Sequence, residues 1–289
     1  MRIFKFRHGS QKDFEALEQS YIWFSSLDGL NDPFEGCFYL DPEVSDEVLF
    51  KYHKNILARE PLSNISPADE VVKRFIDEEK KQVGGYKQWL IDHMTLPELE
   101  EELELLKKKY SVFSCSRAAE EHEHPSPLNR MALWGYYANG LRGFCVEYDE
   151  DILFSSIQEL NSEMILGKSL INYSTDNLLP VVSLKDTLMD SIEGSAKTHA
   201  ALLNAIRTKA SSPWSVENEL RFIAESPSKQ VAHCKKAIKR LYIGSRMNQA
   251  DKDRLLNYGR ENGVELFEVM HSTQKKTYGY TFRKCLTTN

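Results

Sequence analysis

The sequence predicts an α+β fold, with a mixed or antiparallel β core and a large helical insertion. Segments near both ends and in the middle alternate charged with apolar residues, a pattern typical of strands. Residues 41–110 instead carry charged stretches with helical periodicity. With 41% apolar and 28% charged residues, the chain has the composition of a folded domain. We therefore expect a single domain over residues 1–289, with residues 41–110 inserted as a helical subdomain.

Two strands and a short helix open the chain. Residues 3–8 alternate apolar with basic side chains, which predicts a strand. Residues 21–26 place aromatic side chains on both faces, which favours a buried strand. Residues 13–19 between them fit a short helix.

The clearest helix of the insertion follows Pro97. Leu99, Leu103 and Leu106 form an apolar stripe. Glu residues crowd the start of this segment and lysines its end, the order that the helix dipole favours.

Strands and helices alternate over the rest of the chain. Strands are predicted at 111–116, 143–149, within 214–225 and near 278–284. Helical segments are predicted at 131–138 and 151–210. Residues 238–270 indicate a strand, a helix and a strand, with Asn248 as the helix N-cap and Gly263 just beyond its end.

Charge and composition narrow the classes of function. A net charge of −6 and a pI near 5.8 argue against a general binder of nucleic acid or anionic membranes. No apolar run approaches the roughly 20 residues that a membrane helix needs, and the first residues lack the apolar stretch of a secretory signal. Five scattered cysteines without a C-x-x-C pair predict reduced thiols, no structural zinc and a cytoplasmic location.

Three segments contain candidate site residues, and the first is Asn31-Asp32-Pro33-Phe34-Glu35. Asp at an N-cap, Pro at the first helical position and Glu three residues after the cap form a capping box. Alternatively, a rigid turn after a strand aims Asn31 and one carboxylate into a cleft.

The second segment contains Trp134 and Tyr137, which lie three residues apart on a short helix and so share a face. Core packing is the ordinary role for such aromatic residues. The alternative is a stacking surface for a base or a nicotinamide ring, with Ser114 at a nearby strand end supplying a hydroxyl.

The third segment, residues 214–222, is the strongest candidate. On a strand, Glu217, Glu219 and Arg221 share one face, while Leu220 and Phe222 pack on the other. The polar face is either a solvated surface with ion pairs or the floor of a polar cleft.

Taken together in order, these motifs resemble the bacterial and phage family catalogued as domain of unknown function 2971. The resemblance covers the chain from the first strand to about Ile243, and it implies a bacterial or phage origin, with a toxin or phage-defence setting. Its matching segments are Phe4-Lys5-Phe6-Arg7, Trp23-Phe24-Ser25, Asn31 to Glu35, Phe113-Ser114, Met131 to Tyr137, Gly143-Phe144 and Trp214 to Arg221.

The chain is also similar, more weakly, to the ADP-ribosyltransferase superfamily. That superfamily places a basic residue on its first strand, an aromatic residue or Ser on a second and a Glu on a later one. Here Arg7 or His8, then Ser114 or Tyr137, then Glu217 and Glu219 occur in that order.

This similarity implies NAD as a substrate and assigns roles to individual residues. Glu219 would hold the ribose and Glu217 would orient the acceptor, with Arg221 beside them. Arg7 would contact phosphate or ribose. Residues 31–35 have no counterpart in that superfamily, but the alternation of residues 217–222 favours a pocket at Glu219 that Arg7 or Asn31 also lines. Trp134 or Tyr137 would stack on nicotinamide. The acceptor and the oligomeric state are not specified by the sequence.

Two other functions compete with NAD chemistry. One is a ligand- or partner-binding module without catalysis, because motif order alone does not establish activity. The other is a metal-dependent hydrolase or nuclease that uses Asp32, Glu35, Glu217 and Glu219 around Mg²⁺. His122 and His124 lie in a Pro-broken loop without further ligands nearby in sequence, so they are weak metal candidates, and no bound metal is expected.

Overall fold

A computed structural model describes residues 1–59, 69–81, 85–118, 126–227, 229–273, 276 and 278–285. The chain divides into two compact units. The first unit comprises residues 1–31, 108–173 and 211–289, and the second comprises residues 32–107 and 174–210.

The strands are short and spread over the whole chain. In chain order they are β1 (Arg2–Arg7), β2 (Tyr21–Ser26), β3 (Tyr39–Asp41), β4 (Ser111–Arg117), β5 (Phe144–Asp149), β6 (Leu166–Leu170), β7 (Asn172–Ser174), β8 (Val181–Ser183), β9 (Thr208–Ala210), β10 (Glu219–Ala224), β11 (Lys229–Ala232), β12 (Ile238–Gly244), β13 (Glu265–His271) and β14 (Tyr280–Lys284).

The helices concentrate in the second unit but occur in both. In chain order they are α1 (Gln11–Glu18), α2 (Asp46–Arg59), α3 (Asp69–Glu79), α4 (Gly85–Leu90), α5 (Leu96–Lys109), α6 (Met131–Tyr137), α7 (Glu150–Leu160), α8 (Leu184–Glu193), α9 (Lys197–Ile206), α10 (Ser211–Trp214) and α11 (Gln249–Asn262). A π-helical turn, Ile91–Thr95, joins α4 to α5.

A mixed, mostly antiparallel sheet of ten described strands forms the centre of the first unit, which confirms the α+β class. Its main path runs β11-β2-β4-β1-β5-β12-β13-β14, and β10 joins β4 to β6 outside this path. Within the path, β12 and β13 are parallel. The helix between them, α11, has Asn248 as its N-cap and Gly263 in the left-handed conformation at its end, as predicted.

The sheet forks at β4. On one side β10 pairs with β4 from Glu219 to Ala224. The other side is shared: β1 pairs with the end of β4, where Phe4 lies opposite Ser116, and β2 pairs with its start, where Ser25 lies opposite Val112. Residues 113–115 of β4 therefore lie between the segment that pairs with β2 and the segment that pairs with β1.

Two apolar cores cover the two faces of this sheet, because successive residues of a strand point to opposite faces. The larger core contains Ile3 with residues of α1, α7 and α11. The smaller core contains Phe4 and Phe6 with residues of α6, among them Trp134. Both faces of β1 are thus buried at its apolar positions.

The second unit has its own core, formed by α2, α3, α4 and α8. Its strands β3 and β8 pair in parallel, with Tyr39 opposite Val181. Leu99, Leu103 and Leu106 of α5 are all buried, which confirms the predicted apolar stripe.

Residues 151–210 differ most from the expectation of a helical tract. They contain α7, α8 and α9, but also the strands β6 to β9. Part of this segment, residues 174–210, belongs to the second unit, which is larger than the predicted insertion. Trp23 on β2 is 47% exposed, so this strand is not buried on both faces.

All five cysteines are free thiols, and Cys115 and Cys145 are buried on the strands that flank β1. Among the helices that the structure describes, none is long and apolar enough to cross a bilayer.

His233 makes the stability of the first unit dependent on pH. It is buried against the edge of the Tyr148 ring, and burial lowers the pKa of its imidazole below the ordinary value. As pH falls below about 6.5 the unfolded chain takes up this proton before the folded chain does, so the free energy of unfolding decreases. Replacing His233 with Asn is expected to flatten this decrease, measured as urea midpoints at several pH values. Replacing the exposed His8 with Asn is the control, and equal pH dependence in both variants would contradict the assignment.

Candidate functional site

The candidate site forms where a short 3-10 turn, Ser215–Glu217, runs into β10. Asn218 separates the two elements and has a left-handed backbone, with φ at 44°. Its side-chain amide donates to the carbonyl of Arg117, at 2.7 Å. Glu217 therefore lies on the turn, and the prediction that it shares a regular strand with Glu219 and Arg221 was wrong.

Substitutions of Asn218 are expected to lower the melting temperature by different amounts. Ala there adds left-handed strain of about 1–2 kcal/mol and loses a hydrogen bond worth about 1 kcal/mol. Gly removes the same hydrogen bond but accepts the backbone conformation. Melting temperatures should therefore rank wild type first, Asn218→Gly second and Asn218→Ala third. Equal melting temperatures for the two variants would contradict the role of the backbone.

Glu219 and Arg221 lie on one face of β10, as predicted. The Arg221 Nε donates to Glu219 Oε1 at 2.8 Å, and both side chains are buried. Leu220 and Phe222 point the other way, into the larger core. The backbone N–H of Glu219 donates to the hydroxyl of Tyr173, at 2.8 Å.

Glu217 is held by Tyr137. The tyrosine hydroxyl, at the end of α6, donates a hydrogen bond to Glu217 Oε1. Burial and the Glu217 carboxylate raise the pKa of Tyr137, while a hydrogen bond with the Asn31 side chain opposes this rise. We call Glu217, Glu219, Arg221, Tyr137 and Asn31 the Glu217–Glu219 cluster.

Residues from other elements fix the turn that carries Glu217. The Arg130 guanidinium, just before α6, donates to the carbonyl of Val216. Burial lowers the pKa of Arg130. Burial likewise raises the pKa of Tyr173, and the Glu219 carboxylate adds to this rise. Both tyrosine hydroxyls at the cluster, those of Tyr137 and Tyr173, therefore stay protonated at neutral pH.

Lys5 is a basic residue of β1 that acts electrostatically on the cluster. Its Nζ donates to the Ser114 carbonyl at 2.7 Å, within the fork of the sheet, and lies 5.2 Å from the centre of the Phe113 ring. Burial, reinforced by the charge of Arg7, lowers the pKa of Lys5 to about 8, while the Glu219 carboxylate opposes this shift.

Ser114 lies at the fork, opposite Arg221 on β10. Its side-chain hydroxyl is buried and has no hydrogen-bond partner among the described residues.

Two predicted binding residues lie elsewhere. Arg7 shares the face of Ile3 on β1, and its guanidinium is 3.7 Å from the Asp13 carboxylate. Trp134 is fully buried in the smaller core, and its indole N–H donates to the Leu128 carbonyl at 2.9 Å. Packing encloses Trp134, and the Arg7 guanidinium is paired with Asp13.

Asp32 and Glu35 belong to the second unit and do not begin a helix. Residues 33–36 form a turn, in which Asp32 Oδ1 accepts from the N–H of Phe34 at 2.9 Å. Asp32 therefore caps a turn, and the predicted capping box was wrong. His122 and His124 lie outside the described residues.

Sequence reasoning missed Lys5, Arg130 and Tyr173. Lys5 was visible in the alternation of β1, but its contact with Ser114 depends on the fork. Tyr173 was assigned to a helical tract, which concealed its place beside β10. No three described His, Cys, Asp or Glu side chains are grouped as a metal site. Comparisons of the chain with protein-family models, with curated proteins and with solved structures found no match.

Proposed function

We propose that the chain is an ADP-ribosyltransferase-like enzyme that cleaves the bond between nicotinamide and ribose in NAD at the Glu217–Glu219 cluster. The observation that supports this most is the pair of buried carboxylates, each held by a hydrogen bond. Tyr137 holds Glu217, and Arg221 holds Glu219.

The chemistry of NAD suits such a pair. Departure of nicotinamide leaves positive charge on the ribose, which takes on oxocarbenium character. Fixed carboxylates stabilise that charge, and they do so more strongly where water is excluded. Glycosidases use carboxylates for a related transition state. Glu219 and Glu217 are 4% and 6% exposed, so their charges are only weakly screened by solvent.

In this proposal Glu219 faces the ribose, and Glu217 handles the acceptor. Tyr136 replaces Trp134 as the stacking residue, because it is 64% exposed and its ring packs edge-on against Tyr137.

The direct test is incubation of the full-length chain with NAD, with nicotinamide measured by chromatography. Release above the protein-free rate is expected. If the chain binds NAD, measured by calorimetry, without releasing nicotinamide, it is a binding module. If it neither binds nor cleaves NAD, the proposal is overturned.

The binding module is the second candidate, and one observation favours it. The Glu219 carboxylate is already paired with Arg221 inside the fold. A buried pair of this kind is also found where both residues are structural.

A further inference from the structure

The turn that follows α6 brings two arginine side chains to one point. Asn139, Gly140 and Leu141 all have positive φ, at 50°, 59° and 67°. The Nη1 atoms of Arg142 and Arg246 lie 3.6 and 3.8 Å from the position that a Cβ atom at residue 140 would occupy. Among the described residues, no other atom beyond the two chain neighbours lies within 4 Å of that position. The two guanidinium groups therefore flank a small open space at the surface.

The backbone holds the two arginines side by side. The N–H of Arg246 donates to the carbonyl of Leu141 at 2.9 Å, and the N–H of Gly244 donates to the carbonyl of Gly143 at 3.0 Å. A Cβ atom at Gly244 would lie 2.2 Å from the carbonyl oxygen of Leu141, so the two segments approach more closely than a side chain at residue 244 would allow. Both segments belong to the first unit. The arrangement is thus formed by the chain alone, before any ligand binds.

Neither arginine forms an ion pair with a described carboxylate. The Arg142 Nη1 donates to the Asn139 carbonyl at 3.3 Å, and the Arg246 Nη1 donates to the Gly140 carbonyl at 3.4 Å. Both side chains are exposed, and each guanidinium carries several further N–H donors. Acidic residues outnumber basic residues in the chain, 43 to 37, so composition does not force an arginine to lack an acidic neighbour. The two side chains are therefore free to bind an anion from solution.

The chemistry of the pair favours phosphate. Two neighbouring positive charges repel each other, and an anion between them replaces repulsion with attraction. One guanidinium group can satisfy both oxygens of a carboxylate, which lie in one plane. A phosphate group has three terminal oxygens that point in different directions, so guanidinium groups on two sides can bind it together.

We propose that Arg142 and Arg246 form a binding site for a phosphate group, either free or carried by a small molecule. Neither arginine belongs to the Glu217–Glu219 cluster, and the proposal does not depend on NAD cleavage there.

Inorganic phosphate is the first probe. A ligand that binds the folded chain raises its melting temperature, so the melting temperature of the full-length protein is followed as phosphate replaces sodium chloride at constant ionic strength. We expect phosphate to raise it for wild type. Arg142→Gln and Arg246→Gln should each weaken phosphate binding about 10-fold or more, because each removes charge-assisted hydrogen bonds.

Arg260→Gln is the matched control. Arg260 is an exposed arginine of α11, and it also donates to an uncharged oxygen, that of the Asn257 side chain. This variant should bind phosphate as wild type does. If phosphate does not stabilise wild type, or stabilises all three variants equally, the arginines serve only the backbone carbonyls of the turn and the proposal is overturned.

A second pair of variants tests the geometry while both arginines remain. Asp and Asn accept a left-handed backbone and have nearly the same shape. Gly140→Asp places a carboxylate between the guanidinium groups, so it should melt at a higher temperature than Gly140→Asn in phosphate-free buffer and should not bind phosphate. An Asp variant that melts no higher than the Asn variant would show that the guanidinium groups do not converge there, which overturns the site.

Adenosine monophosphate and adenosine identify the source of the phosphate, with binding measured by calorimetry. Tighter binding of adenosine monophosphate than of inorganic phosphate, with no binding of adenosine, assigns the site to a phosphorylated small molecule. Tighter binding of inorganic phosphate assigns it to the free anion. Adenosine binding as tightly as its monophosphate, or no binding of either phosphate compound, contradicts the proposal.

Discussion

Replacing Glu217 with Gln is expected to lower the rate of NAD cleavage roughly 10²- to 10³-fold, the usual effect of removing one fixed electrostatic or proton-accepting group. The substitution keeps the shape of the side chain. Its amide oxygen still accepts the hydrogen bond from Tyr137, and the melting temperature reports any effect on the fold. The rate of nicotinamide release at saturating NAD is the measurement.

Glu147 is the matched control. It is also buried in the sheet, also accepts from a tyrosine, Tyr242, at 2.6 Å, and also has an arginine beside it, Arg240. Glu147→Gln should therefore perturb the fold at least as much as Glu217→Gln but leave cleavage of NAD unchanged. Similar losses of activity in both variants would show that the effect comes from the fold and not from the cluster.

Glu219→Gln is expected to abolish nicotinamide release as well, but with a larger effect on stability. The substitution removes the charge that faces the Arg221 guanidinium, and buried guanidinium groups are costly when a charged partner is lost. A loss of stability without any change in turnover would make Glu219 a structural residue. The comparison of the two variants thus separates the two carboxylates.

Lys5 is expected to produce a large change in stability at alkaline pH. Its pKa is about 8 in the folded chain and near 10.5 when unfolded. Between these values the unfolded state binds the proton and the folded state does not, so stability rises with pH. The shift of about 2.5 pH units corresponds to about 3 kcal/mol at most.

The readout for Lys5 is the difference between wild type and Lys5→Met, because other groups titrate in the same range. In urea denaturation from pH 7 to 10.5, the free energy of unfolding of wild type should rise relative to that of the variant as pH increases. Absolute stability is a poorer measure, since the variant also leaves the Ser114 carbonyl without this donor. Lys51→Met, at an exposed lysine of α2 paired with Glu47, is the control and should parallel wild type. Parallel curves for Lys5→Met would contradict the lowered pKa.

Elements with a strong local pattern were predicted well from the sequence. Strand β1 follows from the alternation of its apolar and basic residues, and the β12-α11-β13 unit follows from its helix boundary residues Asn248 and Gly263. Strand β6 was missed because Gly167, Lys168 and Ser169 show no alternation. It is a strand because its backbone pairs with β10, a contact distant in sequence.

In the candidate site, too, local pattern predicted some features, and pairing between distant segments decided others. The alternation of Leu220 and Phe222 correctly placed Glu219 and Arg221 on the opposite face. Alternation also shows that Lys5 and Arg7 share a face, but not which strand lies next to each of them. That depends on the fork at β4, which is set by pairing between distant segments. The left-handed backbone at Asn218, which moves Glu217 onto a turn, has no clear signal in the sequence either.

The positions of Cys115 and Cys145 give this protein internal reporters of strand separation. One lies on β4 and the other on β5, the neighbours of β1 on its two sides. Burial raises the pKa of both thiols, so neither forms the reactive thiolate while the strands stay together. A thiol reagent can therefore modify them only when the packing around them opens. The rates at the two positions, read by mass spectrometry, would time the opening of the larger core at β4 and of the smaller core at β5 without any engineered label.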